Sequence, residues 1–103
     1  MAVAEISVVP LGTGTPSLSD YVAGAIRVLQ GEPGIKYEVT AMATIIEADM
    51  DKLLSLAGRM HQTAFEAGAK RVVTTIKIDD RRDKPLSISG KLDAVRAKLG
   101  GKF

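Results

Sequence analysis

Between Asp49 and Gly68, apolar residues recur at Leu53, Leu56, Ala57, Met60 and Ala64. That is the spacing of one face of an α-helix, and such a helix must bury its stripe against another layer. Asp49 is placed to cap its start. Gly68 can end it in the left-handed conformation that glycine adopts without steric cost. The flanking segments identify the partner layer. IKYEVTAMATIIE (35–47) reads as two strands with a tight reversal near Thr40–Ala43, with β-branched and aromatic content from Tyr37, Val39, Ile45 and Ile46. Residues 70–79, rich in Val, Thr and Ile, read as another strand.

The first third repeats the arrangement. In VAEISVVPL (3–11), Ile6 and Val8 point one way and Glu5, Ser7 and Val9 the other, and Pro10 suits a strand end. GTGTPS is a loop. Ser19 is placed to cap a helix from Asp20 to about Gln30, with Val22, Ala25, Ile26 and Leu29 as its stripe, stopped by GEPG at 31–34. A short helix from about Gly90, with Ile88, Leu92, Val95 and Leu99 on one side, ends at Gly100–Gly101. The order is β-α-β-β-α-β plus a C-terminal helix. This is an α+β, ferredoxin-like arrangement: a four-stranded antiparallel sheet with helices on one face. A length of 103 residues fits a single domain, 1–103.

Such a sheet has a second, open face. In the last strand Val72, Thr74, Ile76 and Ile78 should face the helices, leaving Val73, Thr75, Lys77 and Asp79 on the open side. Ser7, Val9, Thr40, Met42 and Thr44 are expected there too. This set of hydroxyls and moderately apolar groups, with few charges, predicts packing against another subunit, and a partly covered face of this kind can also surround a small organic ligand.

Several function classes are disfavoured. There is no cysteine, so neither a disulfide nor a thiolate metal site can form. The N-terminus has no basic region and Glu5 interrupts its apolar run, so no signal peptide is read there. No apolar run approaches the roughly 20 residues of a membrane helix. The expectation is a cytoplasmic protein with no membrane partner. Four aromatic residues are too few for a base-stacking surface, so no nucleic-acid partner is expected.

The charge is uneven. Residues 1–69 hold four basic and eight acidic side chains, whereas residues 70–103 hold ten and four. A basic C-terminal third can attract an anion or an acidic surface, although such a bias is commonly a solvated face. PLGTGTPS lacks the third glycine of a dinucleotide fingerprint and the Gly-Lys-Ser/Thr ending of a phosphate loop. His61, the only histidine, falls at the edge of the helical stripe near Phe65 and Leu54, which suits packing or an interface. Asp79, Asp80 and Asp83 are interleaved with Arg81, Arg82 and Lys84. Their spacing is not that of a calcium loop, which needs a central glycine and a closing glutamate. A metal, a phosphate and a strand end closed by ion pairs are the three readings of this run. No catalytic constellation, metal set or cofactor is assigned.

KYEVTAMATIIEAD, MHQTAFEAGAKRVVTTIKIDDRRDK and the opening PLGTGTPSLSDYV resemble the small thiamine-binding protein family across nearly the whole chain. The resemblance implies a ferredoxin-like fold, dimers that pair into tetramers, and binding of thiamine or its hydroxymethylpyrimidine part, with no established enzymatic activity. The family hairpin reads approximately Thr-Pro-Met-Gly-Thr followed by Glu-Gly-Asp. Here Thr40, Met42, Thr44 and Glu47 match, while Ala41, Ala43 and Ala48 depart. Glu47 suits the cationic thiazolium. Hydroxyls at Ser7, Thr13, Thr40 or Thr44 can pair with the aminopyrimidine, and Met42 is an adaptable ring contact. Thr75, Lys77, Asp79, Arg81 and Arg82 are the expected oligomer contacts.

Overall fold

The computed structural model describes residues 1–101. Its elements are β1 (Ala2–Leu11), α1 (Ser19–Arg27), β2 (Lys36–Val39), β3 (Thr44–Ala48), α2 (Met50–Glu66), β4 (Arg71–Asp79) and α3 (Ile88–Lys98). The strands form one sheet in the order β2-β3-β1-β4, every neighbouring pair antiparallel. This is the expected ferredoxin-like order with an added C-terminal helix.

The alternation of β1 decides which residues meet the helices. Ala2, Ala4 and Ile6 are almost fully buried and join Ile46, Ala48, Leu53, Leu56, Ala57 and Met60 in the core. All five residues of the α2 stripe are buried. At the end of α2, Gly68 takes φ +105°. Its N–H bonds Phe65 O and the Ala69 N–H bonds Ala64 O, both at 3.0 Å, a paired closure that needs a left-handed residue at this position. Asp49 occupies the N-cap of α2 in extended conformation, but its side chain makes no capping bond.

Three expectations about the helices change. Leu18, not Ser19, holds the N-cap of α1. Regular α1 stops at Arg27, after which Val28 and Leu29 bond three residues back, to Ala25 and Ile26, a tightened last turn that still buries Leu29. Val22, expected in the core, is 44% exposed.

A further change concerns α3. It starts at Ile88, two residues before Gly90, because the Ser87 hydroxyl caps it by accepting the Gly90 N–H at 2.9 Å. Only Ile88 is buried along it, and Val95 and Leu99 are more than half exposed. The helix therefore projects. The radius of gyration is 15.2 Å, against about 13 Å for a compact domain of about 100 residues.

Candidate functional site

Strand register sorts the expected site residues onto two faces. Thr44 pairs with Ile6 and so lies on the helix-covered side, 6% exposed, not on the open face. Glu47, three positions later, pairs with Val3 and points the other way, as the two-residue period of a strand requires. The open face is also more charged than expected. Its cross-strand pairs include Glu5 with Lys77, Val3 with Asp79, and Lys36 with Glu47. Thr40 and Met42 lie beyond the strands, in the β2–β3 hairpin.

β1 pairs with β3 only as far as Ile6–Thr44, yet it pairs with β4 on to Leu11. Its last five residues, Ser7–Leu11, therefore have no neighbour on the β3 side. Pro10 sits in this overhang, next to last in the strand as expected, where a missing N–H is tolerated as at a sheet edge. The gap is roofed by the β2–β3 hairpin and the start of α1. It forms a cleft of about 390 Å³ lined by Ser7 and Val9 of β1, Leu18 and Val22 of the α1 end, and Val39, Thr40, Met42 and Thr44. Its volume is that of a small organic ligand's pocket. Every lining residue is uncharged.

Thr40 organises the hairpin. Its N–H and hydroxyl both bond Ala43 O, at 2.9 and 2.7 Å, and its oxygen accepts from Met42 N and Ala43 N at 3.3 and 3.1 Å. Among the described residues none but glycine has positive φ, so Ala41, Ala43 and Ala48 carry no left-handed backbone strain. Met42 is left 87% exposed at the cleft mouth. The Thr44 hydroxyl differs from Thr40's: it makes no hydrogen bond among the described residues, and it is not sealed from the cleft.

Thr13 and Glu47 are not brought to this cleft. The Thr13 hydroxyl donates to Thr15 O at 2.8 Å within its own loop. Glu47, 7% exposed, accepts the Ile88 N–H at 2.8 Å. A carboxylate at the first turn of a helix satisfies an orphan donor and complements the helix dipole. Thr44 and Glu47 therefore do not share a site. Sequence reasoning missed Leu18 and Val22 as cleft residues. The separation of Thr44 from Glu47 could have been read from their odd spacing in a strand.

The charged run after β4 resolves into local ion pairs. Arg81 grips Asp83 with two nitrogens, at 2.5 and 2.8 Å, Arg82 bonds Asp80 at 2.9 Å, and Lys91 bonds Asp79. The Arg81 guanidinium holds the Asp83 carboxyl below its ordinary value and is itself raised by it. An open hollow of about 480 Å³ lies between this turn, Met1 and Met50. Thr75 and Lys77 stand exposed on β4. His61 packs as expected: its Nδ1 is 2.6 Å from the Thr74 hydroxyl and its ring meets Phe65 edge-on at 5.3 Å. Among the described residues no helix is long and apolar enough to cross a membrane.

Comparison with known proteins gives one family. The model for a family described as thiamine-binding protein matches residues 4–96. UPF0045 protein YqgV of Bacillus subtilis is 41% identical over 102 residues, covering 96% of this chain and 98% of that protein. The crystal structure of protein MJ1052 from Methanocaldococcus jannaschii is 39% identical with a TM-score of 0.84, covering 98% and 97% of the two chains. A candidate thiamine biosynthesis/salvage protein from Thermotoga maritima is 26% identical with a TM-score of 0.73, covering 92% and 98%.

Proposed function

The chain belongs to the thiamine-binding protein family, and from that premise we propose that it is a cytoplasmic, non-enzymatic binding protein for thiamine or its hydroxymethylpyrimidine part, acting as a homo-oligomer. One observation carries the ligand reading. Thr44 is a buried residue whose hydroxyl opens onto a preformed cleft and has no protein partner among the described residues. A ligand that fills the cleft would cut this hydroxyl off from water, and a heteroaromatic ring nitrogen or amino group would give it the partner it then needs.

The neutral lining favours the pyrimidine as the buried end. Ser7, Thr40 and Thr44 supply hydroxyls of the kind that ring nitrogens and an amino group need. Met42 and the aliphatic wall would cover the ring faces. A cationic thiazolium has no counter-charge inside the cleft, so it would extend past Met42 towards solvent or a neighbouring subunit. Glu47, already taken by Ile88, is left out of the contact set.

Isothermal titration with thiamine and with hydroxymethylpyrimidine tests the reading. Saturable binding of either, weakened in Thr44→Val, supports it. No binding of either by the folded oligomer would leave a structural or anion-binding oligomer as the better account, and a phosphate titration would separate those two.

A further inference from the structure

Backbone N–H and C=O groups of a folded chain need a partner or water, and the β1 overhang leaves some of them without a strand to meet. In an antiparallel strand each residue sends both groups to the same neighbour, and successive residues alternate between the two neighbours. Pro10 fixes that alternation in β1. It sits opposite Val72, between Val9 opposite Val73 and Leu11 opposite Arg71. Proline has no N–H to give, so the bonds that carry the ladder past it come from Val9 and Leu11, and Pro10 turns to the gap. By the same alternation Ser7 bonds towards β4 and Val8 towards the gap. The β3 side agrees: its ladder ends at Ile6 opposite Thr44, two positions before Val8 and of the same parity. Pro10 brings only a carbonyl to the gap, whereas Val8 brings both an N–H and a C=O.

Nothing in the hairpin takes up these groups. Thr40 accepts the N–H groups of Met42 and Ala43, at 3.3 and 3.1 Å, and among the described residues no hydrogen bond runs from the hairpin to Val8. The Val8 side chain is engaged elsewhere, packed against the core. What Val8 offers the cleft it lines is its main chain.

We infer that the Val8 main chain is the recognition element of the cleft, donating from its N–H to a ring nitrogen and accepting at its C=O from an amino group on the neighbouring ring carbon. The inference rests on the pyrimidine reading above and gives the ligand an orientation. In an extended residue the N–H and C=O project side by side, so a ring edge with an acceptor next to a donor meets both at once. An aminopyrimidine has such an edge. The ring lies in the line of β3, edge-on to β1, in place of the residue that β3 lacks opposite Val8. The second ring nitrogen or second amino hydrogen is left for the Thr44 hydroxyl. This pair also reads the order of donor and acceptor. Hydroxyls cannot, because each serves as either. An oxo analogue, with a ring N–H beside a carbonyl, presents the order reversed and leaves buried polar groups unpaired, the strongest basis for rejection by a binding site.

Residue-resolved amide exchange by NMR tests this without altering the chain. In the free protein the Val8 N–H should exchange faster than those of Ser7 and Val9, which β4 protects. Saturating hydroxymethylpyrimidine should slow Val8 and shift its resonance. The oxo analogue should bind at least about tenfold more weakly. Val8→Pro removes the donor where, as at Pro10, β4 loses nothing; it should stay folded and bind at least about tenfold more weakly, whereas Val9→Pro breaks the β4 ladder and should melt lower. A Val8 N–H as protected as that of Val9 in the free chain would overturn the inference. Binding of hydroxymethylpyrimidine with Val8 exchange unchanged, or equal affinity for the oxo analogue, would overturn it and leave the ligand reading standing. No binding of thiamine or hydroxymethylpyrimidine would sink both.

Discussion

The Glu47 carboxylate accepts a hydrogen bond from the Ile88 N–H at 2.8 Å, across 41 positions of sequence. With the Lys91–Asp79 pair it is one of two polar links between the sheet and the start of α3, a helix that is otherwise largely exposed. Glu47→Ala should leave that N–H without its partner, at a cost of about 1–3 kcal/mol. Faster amide exchange across 88–98, with the exchange of α2 unchanged, is the expected signature. Glu47→Gln keeps an accepting oxygen and should lose less.

Thr44→Val preserves shape and removes the hydroxyl that faces the cleft. Ligand affinity should fall about tenfold, equivalent to ~1.4 kcal/mol, without a lower melting temperature. A melting temperature that falls as far as the affinity would mean that Thr44 serves the core instead.

Gly68→Ala places a Cβ at φ +105°. The closure of α2 should be strained by about 1 kcal/mol or more, lowering the melting temperature by roughly 4–8 °C for a domain of this size. Thermal unfolding followed by circular dichroism measures it.

Glu32 ties the loop after α1 to α2, accepting from Arg59 at 2.8 Å and Lys52 at 3.0 Å. Those two bonds, Arg59's first, hold its carboxyl below the ordinary 4.5. A carboxyl lowered by folding contributes above its unfolded value, and its contribution is lost as pH falls through the folded value. Glu32→Gln should therefore melt below the wild type at pH 7. The difference should shrink as the pH is taken below 4.5 and vanish under stronger acid.

Much of this structure was legible in the sequence, for identifiable reasons. The α2 stripe was read residue by residue because a 17-residue amphipathic helix repeats its signal several times. The hairpin at Thr40–Ala43 was located despite having no glycine or proline, because β-branched runs flank it. The cleft was harder. Ser7, Thr40, Met42 and Thr44 do line one cleft, but only Thr44 reaches it from a helix-facing strand position, around an overhang that only strand register reveals. Val22 was assigned to the core because periodicity identifies a helix face without saying how far the sheet beneath it extends. Glu47 was assigned by chemistry alone, and its odd spacing from Thr44 puts it on the other face. In the run after Ile78, Asp79, Asp80 and Asp83 each take a basic partner, two within the turn itself and one on α3, a choice among three readings that composition left open.

The cleft exists because β1 outruns β3 by five residues, Ser7–Leu11. It is a cavity made by omission, and its capacity is set by how soon the hairpin turns. Two residues added between Thr40 and Ala43 would let β3 continue alongside Val8 and fill the space with backbone. Relatives of this chain thus have a simple means of gaining, resizing or abolishing a ligand chamber: hairpin length, varied at the surface while every core side chain stays as it is.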